Sequence, residues 1–442
     1  MLRGGFILNK IPDSIACAVD EICSKLNHRP ILKKLFKNCF TNTLETTSEL
    51  LEDGTTYVFT GDIPALWLRD SSAQVRHYIP FAKEDSEVQR IIEGLIKRQI
   101  MYILIDPYAN AFNREANGQC YHKDVTDTND WIWERKYEID SLCYPIQLSY
   151  LYWKATDKTE IFDEKFKGAM QTIMDLWKTE QRHHEESPYS FLRLQEGSPE
   201  HGQLYNGGRG MPVNYTGMTW SGFRPSDDAC TFGYLIPSNM FAVTVLRYME
   251  EIAETVYKDD ELKNSASILG KEIDYGIRTY GIYHHPRWGR IYAYETDGFG
   301  NYNLMDDANV PSLLSAPYLG YTTTQDPIYQ NTRRFILSKD NPYYYEGKYA
   351  RGIGSPHTPE NYIWHISLAM QGLTSEDRDE TEAIINLFET THGGTYYMHE
   401  GFDVDNPDNF TRHWFAWANS LFGEFIYKVV TETDILSDGS VK

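Results

Sequence analysis

The sequence predicts an all-α fold, an (α/α)6 toroid of six helical hairpins with the active site built from long loops at one end. Two observations predict it. Apolar residues recur at helical spacing through most of the 442 residues, and the links between these stretches alternate between short and long. Helices joined by short links are antiparallel neighbours, so strict alternation gathers every long link at one end of the bundle. Six such hairpins can close into a ring with a pit on its axis.

In chain order, the helical period covers about 13–26, 30–45, 71–82, 86–105 and 138–155. Phe166, Ala169, Met170, Ile173, Met174 and Trp177 then mark one face of a further helix. More follow at 236–257, 260–279, 309–317, 327–337, 360–371 and 376–391. The last carries Trp414, Trp417, Ala418, Leu421, Phe422, Phe425, Ile426 and Val429 on one face for four turns. Short links at 27–29, 83–85, 156–159, 258–259, 318–326 and 372–375 alternate with long ones at 46–70, 106–137, 182–235, 280–308, 338–359 and 392–410. No Pro/Ser/Gly linker, repeat or low-complexity segment divides the chain, so a single domain over 1–442 is expected.

With 42 Lys and Arg against 63 Asp and Glu, the net charge of -21 argues against nucleic acid or an anionic membrane as partner. Thirty-two Tyr and ten Trp, many beside Asp, Arg, His and Gly, suit the faces and hydroxyls of sugars. The six cysteines show no CxxC or finger spacing and read as free thiols of a reducing compartment. The start "MLRGGFILNKIPDS" has no long apolar region, and no run reaches membrane-spanning length. A cytoplasmic protein is the expectation.

Polar clusters concentrate in the long links, where function tends to sit. "FRPSDDA" holds Arg224, Asp227 and Asp228 in an apolar neighbourhood, where a carboxylate is costly unless paired or working. Ser226 or Asp227 could instead cap the following helix, and Arg224 could serve as a salt-bridge partner. "YYMHEGF" offers Glu400, beside His399 and Gly401, as a general base. Asp403, Asp405 and Asp408 imitate a calcium loop, but Pro407 and Asp408 occupy the places of a ligand and a glycine.

Asp306 and Asp307 with Asn309 can accept from and donate to adjacent hydroxyls, or cap the 309–317 helix. Neither Asp pair continues as DDxxD, and no cationic cluster supplies diphosphate. "PALWLRDSS" places Trp67, Arg69 and Asp70 at a helix start, with capping by Asp70 or Ser71 the plainer use. "WIWERKYEID" adds Trp131, Trp133, Glu134, Arg135, Glu138 and Asp140, and "GIGSPHT" contributes His357. No HExxH is present, and the adjacent His284 and His285 cannot readily share an ion, so no metal and no cofactor are expected.

Taken together, "DIPALWLRDSS", "WERKYEIDSL", "FRPSDDACTFGYLIPSNMFA", "LMDDANVPSLL", "GIGSPHT" and "MHEGF" resemble glycoside hydrolase family 125, over about residues 10 to 430. The resemblance implies an exo-acting α-1,6-mannosidase that inverts anomeric configuration without a metal. It implies Asp227, rather than Asp228, as general acid and Glu400 as general base. Trp67, Arg69, Asp70, Trp131, Glu134, Arg224, Asp228, Asp306, Asp307, Asn309, His357 and His399 are then candidates for binding an α-mannoside glycan. The apolar "CTFGYLIP" is expected to raise the acid's pKa toward neutrality. Other readings are a toroidal hydrolase of a different α-glycoside and a glycan-binding protein without catalysis.

Overall fold

The computed structural model describes residues 5–7, 11–194 and 202–437. Among these the chain is mostly helical, with strands of two to five residues between the helices. Part of the predicted 182–235 link, residues 195–201, lies outside the described residues.

One set of helices forms the interior: Leu68–Arg76, Ile139–Thr156, Ile236–Ile252, His365–Leu373 and Ala416–Glu432. Leu68–Arg76 packs on Ile139–Thr156, which packs on Ile236–Ile252. Ala416–Glu432 packs on both His365–Leu373 and Leu68–Arg76. These helices are buried nearly all round. Ile139–Thr156 buries an unbroken run from Ile139 to Ser149, as a helix enclosed by others must.

The helices after the short links are amphipathic instead. Asp260–Tyr280 buries Leu262, Ala266, Leu269, Ile273 and Ile277, one stripe at helical spacing. Five of them begin with an aspartate whose carboxylate accepts first-turn N–H groups: Asp85, Asp163, Asp259, Asp326 and Asp377. Such a cap contributes about 1 kcal/mol. None of the five interior helices has a side-chain cap.

Two expectations change. No helix forms at 309–317; turns stand there. Pro317 has no N–H to give and its ring would clash one turn back, while Asp306 takes the N–H groups of Leu313 and Leu314 at 2.8 and 3.0 Å. Capping by Ser226, Asp227 or Asp70 also does not occur. The helix after "RPSDD" starts only at Ile236, and Asp70 lies inside the first turn of Leu68–Arg76.

No helix among the described residues is long and apolar enough to cross a membrane.

Candidate active site

The interior helices begin at one end of the molecule, around a cavity of about 330 Å³. Trp67, Trp364 and Phe415 each immediately precede an interior helix, and Arg69, Asp70 and Trp417 stand in first turns. Ile236–Ile252 starts level with them, its Ser238 hydroxyl donating to Asp140 Oδ1 at 3.2 Å.

Small antiparallel sheets set the wall. Leu66–Trp67 pairs with Ala111–Phe112, which pairs with Ile132–Glu134, so Trp67, Trp133 and Glu134 meet at the cavity. Tyr362–Trp364 pairs with Gly401–Asp403, opposing Trp364 and Gly401 and bringing Glu400 to the edge. A Cβ on Gly401 would lie only 3.3 Å from Trp364 Nε1, which suits glycine there.

Asp227 and Asp228 sit at the tip of a hairpin closed by the Phe223–Ala229 bridge and the Arg224 N–H to Asp228 carbonyl bond of 2.8 Å. Asp227 adopts a left-handed backbone, φ 67°, uncommon outside glycine and found at functional sites. Asn110 Nδ2 donates to Asp227 Oδ1 at 3.2 Å, and Lys136 Nζ donates to the Asp227 carbonyl at 2.7 Å.

Arg69 is the hub of this wall. Its Nη1 reaches Glu138 Oε2 at 2.5 Å and Asp140 Oδ2 at 3.2 Å, its Nε stands 3.4 Å from Asp70, and its Nη2 stands 3.8 Å from Asp227. Burial drives Glu138 well above the carboxylate range, whereas burial of Asp227 is outweighed by Lys136 and Arg69, which hold it down to about 2. The setting of Asp227 is therefore cationic rather than apolar, contrary to the sequence expectation. Burial lifts Asp70 to about 6 against the pull of Arg69 and Arg412.

The other wall carries Glu400. Thr411 Oγ1 donates to Glu400 Oε2 at 3.0 Å and accepts the Gly401 N–H at 2.9 Å, and Arg412 Nη1 stands 3.6 Å from Oε1. His357 Nδ1 stands 3.0 Å from Asp228. Burial disfavours its charge, but Asp228, with Glu400 and Asp227, lifts it to about 9, an imidazolium at neutral pH.

Of the fourteen residues given a catalytic or binding role from sequence, nine line the cavity: Asp227, Glu400, Trp67, Arg69, Asp70, Glu134, Asp228, Asn309 and His357. Five do not. Trp131 packs on Tyr102, ring centroids 6.1 Å apart. Arg224 is buried in an ion pair of 2.6 Å with Glu295. Asp306 holds the 313–314 turn, and Asp307 stands behind the wall, accepting from Ser226 and Ser355 at 3.3 and 3.2 Å. His399 stacks on Phe410, centroids 3.7 Å apart, with Nδ1 on the Arg412 carbonyl.

Sequence reasoning passed over Lys136, Arg193, Arg412 and Trp364 as cavity residues. The only signal was nearness to flagged motifs for Lys136, Arg412 and Trp364; Arg193 had none. The indole N–H groups of Trp67 and Trp133 and the Asn309 Oδ1 are buried without a hydrogen-bond partner among the described residues. Buried polar atoms are rarely left so unless water or a ligand supplies the partner. A cavity with two separate carboxylates, indole walls and spare hydrogen-bonding groups can hold a polyol and move protons on either side of it.

A family model described as metal-independent alpha-mannosidase (GH125) matches residues 29–427. The meiotically up-regulated gene 157 protein of Schizosaccharomyces pombe is 39% identical over 435 residues, covering 93% of this chain and 85% of the relative. A Streptococcus pneumoniae structure, described among widely distributed metal-independent alpha mannosidases and in a non-productive complex with α-1,6-mannobiose, aligns with TM-score 0.93 and 48% identity. It covers 96% of this chain and 99% of that one. A bacterial glucoamylase complexed with acarbose shares the fold, at TM-score 0.58 and 12% identity, over 94% of this chain and 58% of its own.

Proposed function

The chain belongs to glycoside hydrolase family 125, and on that premise we propose that it is an exo-acting α-1,6-mannosidase releasing terminal mannose from glycans with inversion. The observation that carries this is the meeting of Asp227 and Glu400, far apart in sequence, on one cavity with indole walls. The α-1,6 linkage and the link to N-linked glycans follow the Streptococcus pneumoniae relative. An exo mode suits a cavity floored by the buried Asp70, Trp364 and Trp417 and opening toward the exposed Tyr121. The helices are read as an (α/α)6 toroid, one catalytic domain over 1–442, with the 309–317 turns standing in for one interior helix. The six unpaired cysteines fit a reducing compartment, so a cytoplasmic location is proposed.

In this reading Asp227 protonates the glycosidic oxygen as its bond to the anomeric carbon breaks. Glu400 takes a proton from water, whose oxygen attacks that carbon from the opposite face. An inverting pair stands about 6.5–9.5 Å apart to admit the water, against about 5–5.5 Å in a retaining enzyme. The spare indole N–H groups of Trp67 and Trp133 and the Asn309 oxygen are assigned to mannose hydroxyls, with Asp70 and His357 beside them.

Turnover on a panel of linkage-defined mannobioses tests the substrate, and preference for another linkage would overturn it. Proton NMR in the first minutes should show β-mannose as the initial product; α-mannose first would require a covalent intermediate in place of the Glu400-activated water.

Activity is expected to survive prolonged EDTA treatment, as the family's description implies. Loss restored by calcium or zinc would refute that.

Thr411→Val keeps the shape but removes the donor to Glu400 and the acceptor of the Gly401 N–H. A hydrogen bond to a charged group contributes about 1.5–3 kcal/mol, so kcat should fall roughly ten- to hundredfold, with a modest drop in melting temperature from the stranded Gly401 N–H. An unchanged kcat would remove Thr411 from the orientation of the base.

A further inference from the structure

Asn110 does not line the cavity; it is fully buried and stands directly before the Ala111–Phe112 strand. Both ends of its side chain are engaged. The amide nitrogen carries two N–H groups and faces two carboxylates, Glu134 Oε1 at 3.1 Å and Asp227 Oδ1 at 3.2 Å. The amide oxygen accepts the backbone N–H of Lys136 at 3.1 Å. These partners settle which way round the amide stands. A backbone N–H only donates and an ionised carboxylate only accepts, so a flipped amide would lose all three bonds. The backbone carbonyl of Asn110 accepts the Leu68 N–H at 3.1 Å, a bond that needs no side chain.

Lys136 closes the arrangement. Its backbone N–H holds the Asn110 oxygen, and its ammonium donates to the Asp227 carbonyl at 2.7 Å. Asp227 is therefore held twice, at the main chain by Lys136 and at the side chain by Asn110, and the two holders are bonded to each other. Glu134 takes the second Asn110 N–H on Oε1, while its Oε2 accepts from Arg193 at 2.9 Å. Asp227 needs such restraint, because it stands at a hairpin tip with φ 67° and its side chain is 27% exposed where it lines the cavity. Both groups that face one named oxygen face the same one: Asn110 Nδ2 and, at 3.8 Å, Arg69 Nη2 stand on Oδ1. A donor held against one oxygen of a carboxylic acid makes that oxygen the carbonyl, the better acceptor, and leaves the hydrogen to the other.

We propose that Asn110 is a positioning residue for the general acid: it keeps Asp227 Oδ1 as an acceptor and so directs the proton that Asp227 delivers onto Oδ2. An N–H donates to a carboxylate and to the carbonyl oxygen of a carboxylic acid alike, so the hold lasts through both protonation states. As the Oδ2–H bond breaks and an O–H bond forms on the leaving oxygen, negative charge develops on the Asp227 carboxyl. That charge meets an N–H and a guanidinium already in place. A hydrogen bond to a charged acceptor is stronger than one to a neutral acceptor, so the Asn110 bond tightens as the proton leaves and favours its departure. The inference rests on the mannosidase reading above.

The test compares wild type, Asn110→Ala and Asn110→Ser on two substrates. α-1,6-Mannobiose has an alkoxide leaving group that needs a proton, and 2,4-dinitrophenyl α-mannoside has one that does not. The readout is the ratio of kcat/KM on the disaccharide to kcat/KM on the aryl mannoside, which a smaller folded fraction leaves unchanged. It should fall at least about tenfold in both variants, with the loss on the disaccharide in kcat rather than KM. Asn110→Ser gives up the two-pronged amide but keeps a hydroxyl, and so guards against loss of the fold in Asn110→Ala.

A ratio that stays at the wild-type value in either folded variant, or a fall carried by KM, would overturn the proposal. NMR of protein carrying asparagine labelled at its side-chain nitrogen reads the hold on Asp227 without turnover. Asp227→Gly removes the carboxyl and suits the left-handed backbone there, so it should move the Asn110 side-chain N–H signal upfield. A signal that does not move overturns the proposal whatever the kinetics. If wild type cleaves neither mannoside while the signal moves, the mannosidase reading fails and the hold of Asn110 on Asp227 stands.

Discussion

Asp227→Asn is expected to lower kcat on α-1,6-mannobiose by at least about a thousandfold, and Glu400→Gln by a similar factor, with both proteins folded. General acid or base catalysis by one positioned group supplies about 10²–10⁴ in rate, and a sugar alkoxide is a poor leaving group without its proton. Asparagine is the right replacement at 227 for a backbone reason. The residue sits at φ 67°, a conformation that Asn tolerates better than most side chains, so the hairpin tip should survive. Asn can also keep its oxygen on Asn110. If Asp227→Asn is harmless and Asp228→Asn is not, the acid is Asp228. Retained activity in Glu400→Gln would rule out Glu400 as the base.

The largest stability effect should come from Arg69→Met. Arg69 is 3% exposed and lies within 4 Å of Asp70, Glu138, Asp140 and Asp227. Removing the shared cation strands buried carboxylates, which costs about 3–5 kcal/mol when one partner of a buried pair is lost. Those carboxyls then titrate higher in the folded protein than in the unfolded chain. Such groups lower stability above their folded pKa and restore it as pH falls, because the folded state then binds the more protons. Urea unfolding should therefore show a larger deficit near pH 7 than near pH 5, below the value of about 6 at which Asp70 already stands with Arg69 present. A deficit under about 1 kcal/mol at neutral pH would mean that the carboxylates find other partners.

Much of this was legible in the chain. The period through Phe166–Trp177 gave a helix at Glu164–Glu180. "RPSDD" and "MHEGF" drew notice because acids in apolar or aromatic loops are costly, and both reach the cavity, but the choice of Asp227 and Glu400 as acid and base came from the family resemblance.

What stayed hidden depended on register or on distant partners. Trp131 and Trp133 look equivalent, but a bulge against Ala111–Phe112 breaks the alternation, and only Trp133 reaches the cavity. The apolar look of "CTFGYLIP" concealed that Lys136 and Arg69, from other segments, set the charge around Asp227. The 309–317 stretch has the spacing of a helix, and Pro317 outweighs it.

The unequal distribution of helix caps bears on how this protein can vary. Asp85, Asp163, Asp259, Asp326 and Asp377 brace the ends remote from the cavity, while Trp67, Trp364 and Phe415 occupy cap positions at the cavity end. A Ser or Asp introduced at one of those three would strengthen its helix by removing part of the cavity wall. Thermal robustness and substrate preference are thus inherited from opposite ends of the molecule. A mutant library confined to the short links can raise melting temperature while leaving turnover alone. One confined to the cavity rim can change the glycan accepted without loosening the frame that holds it.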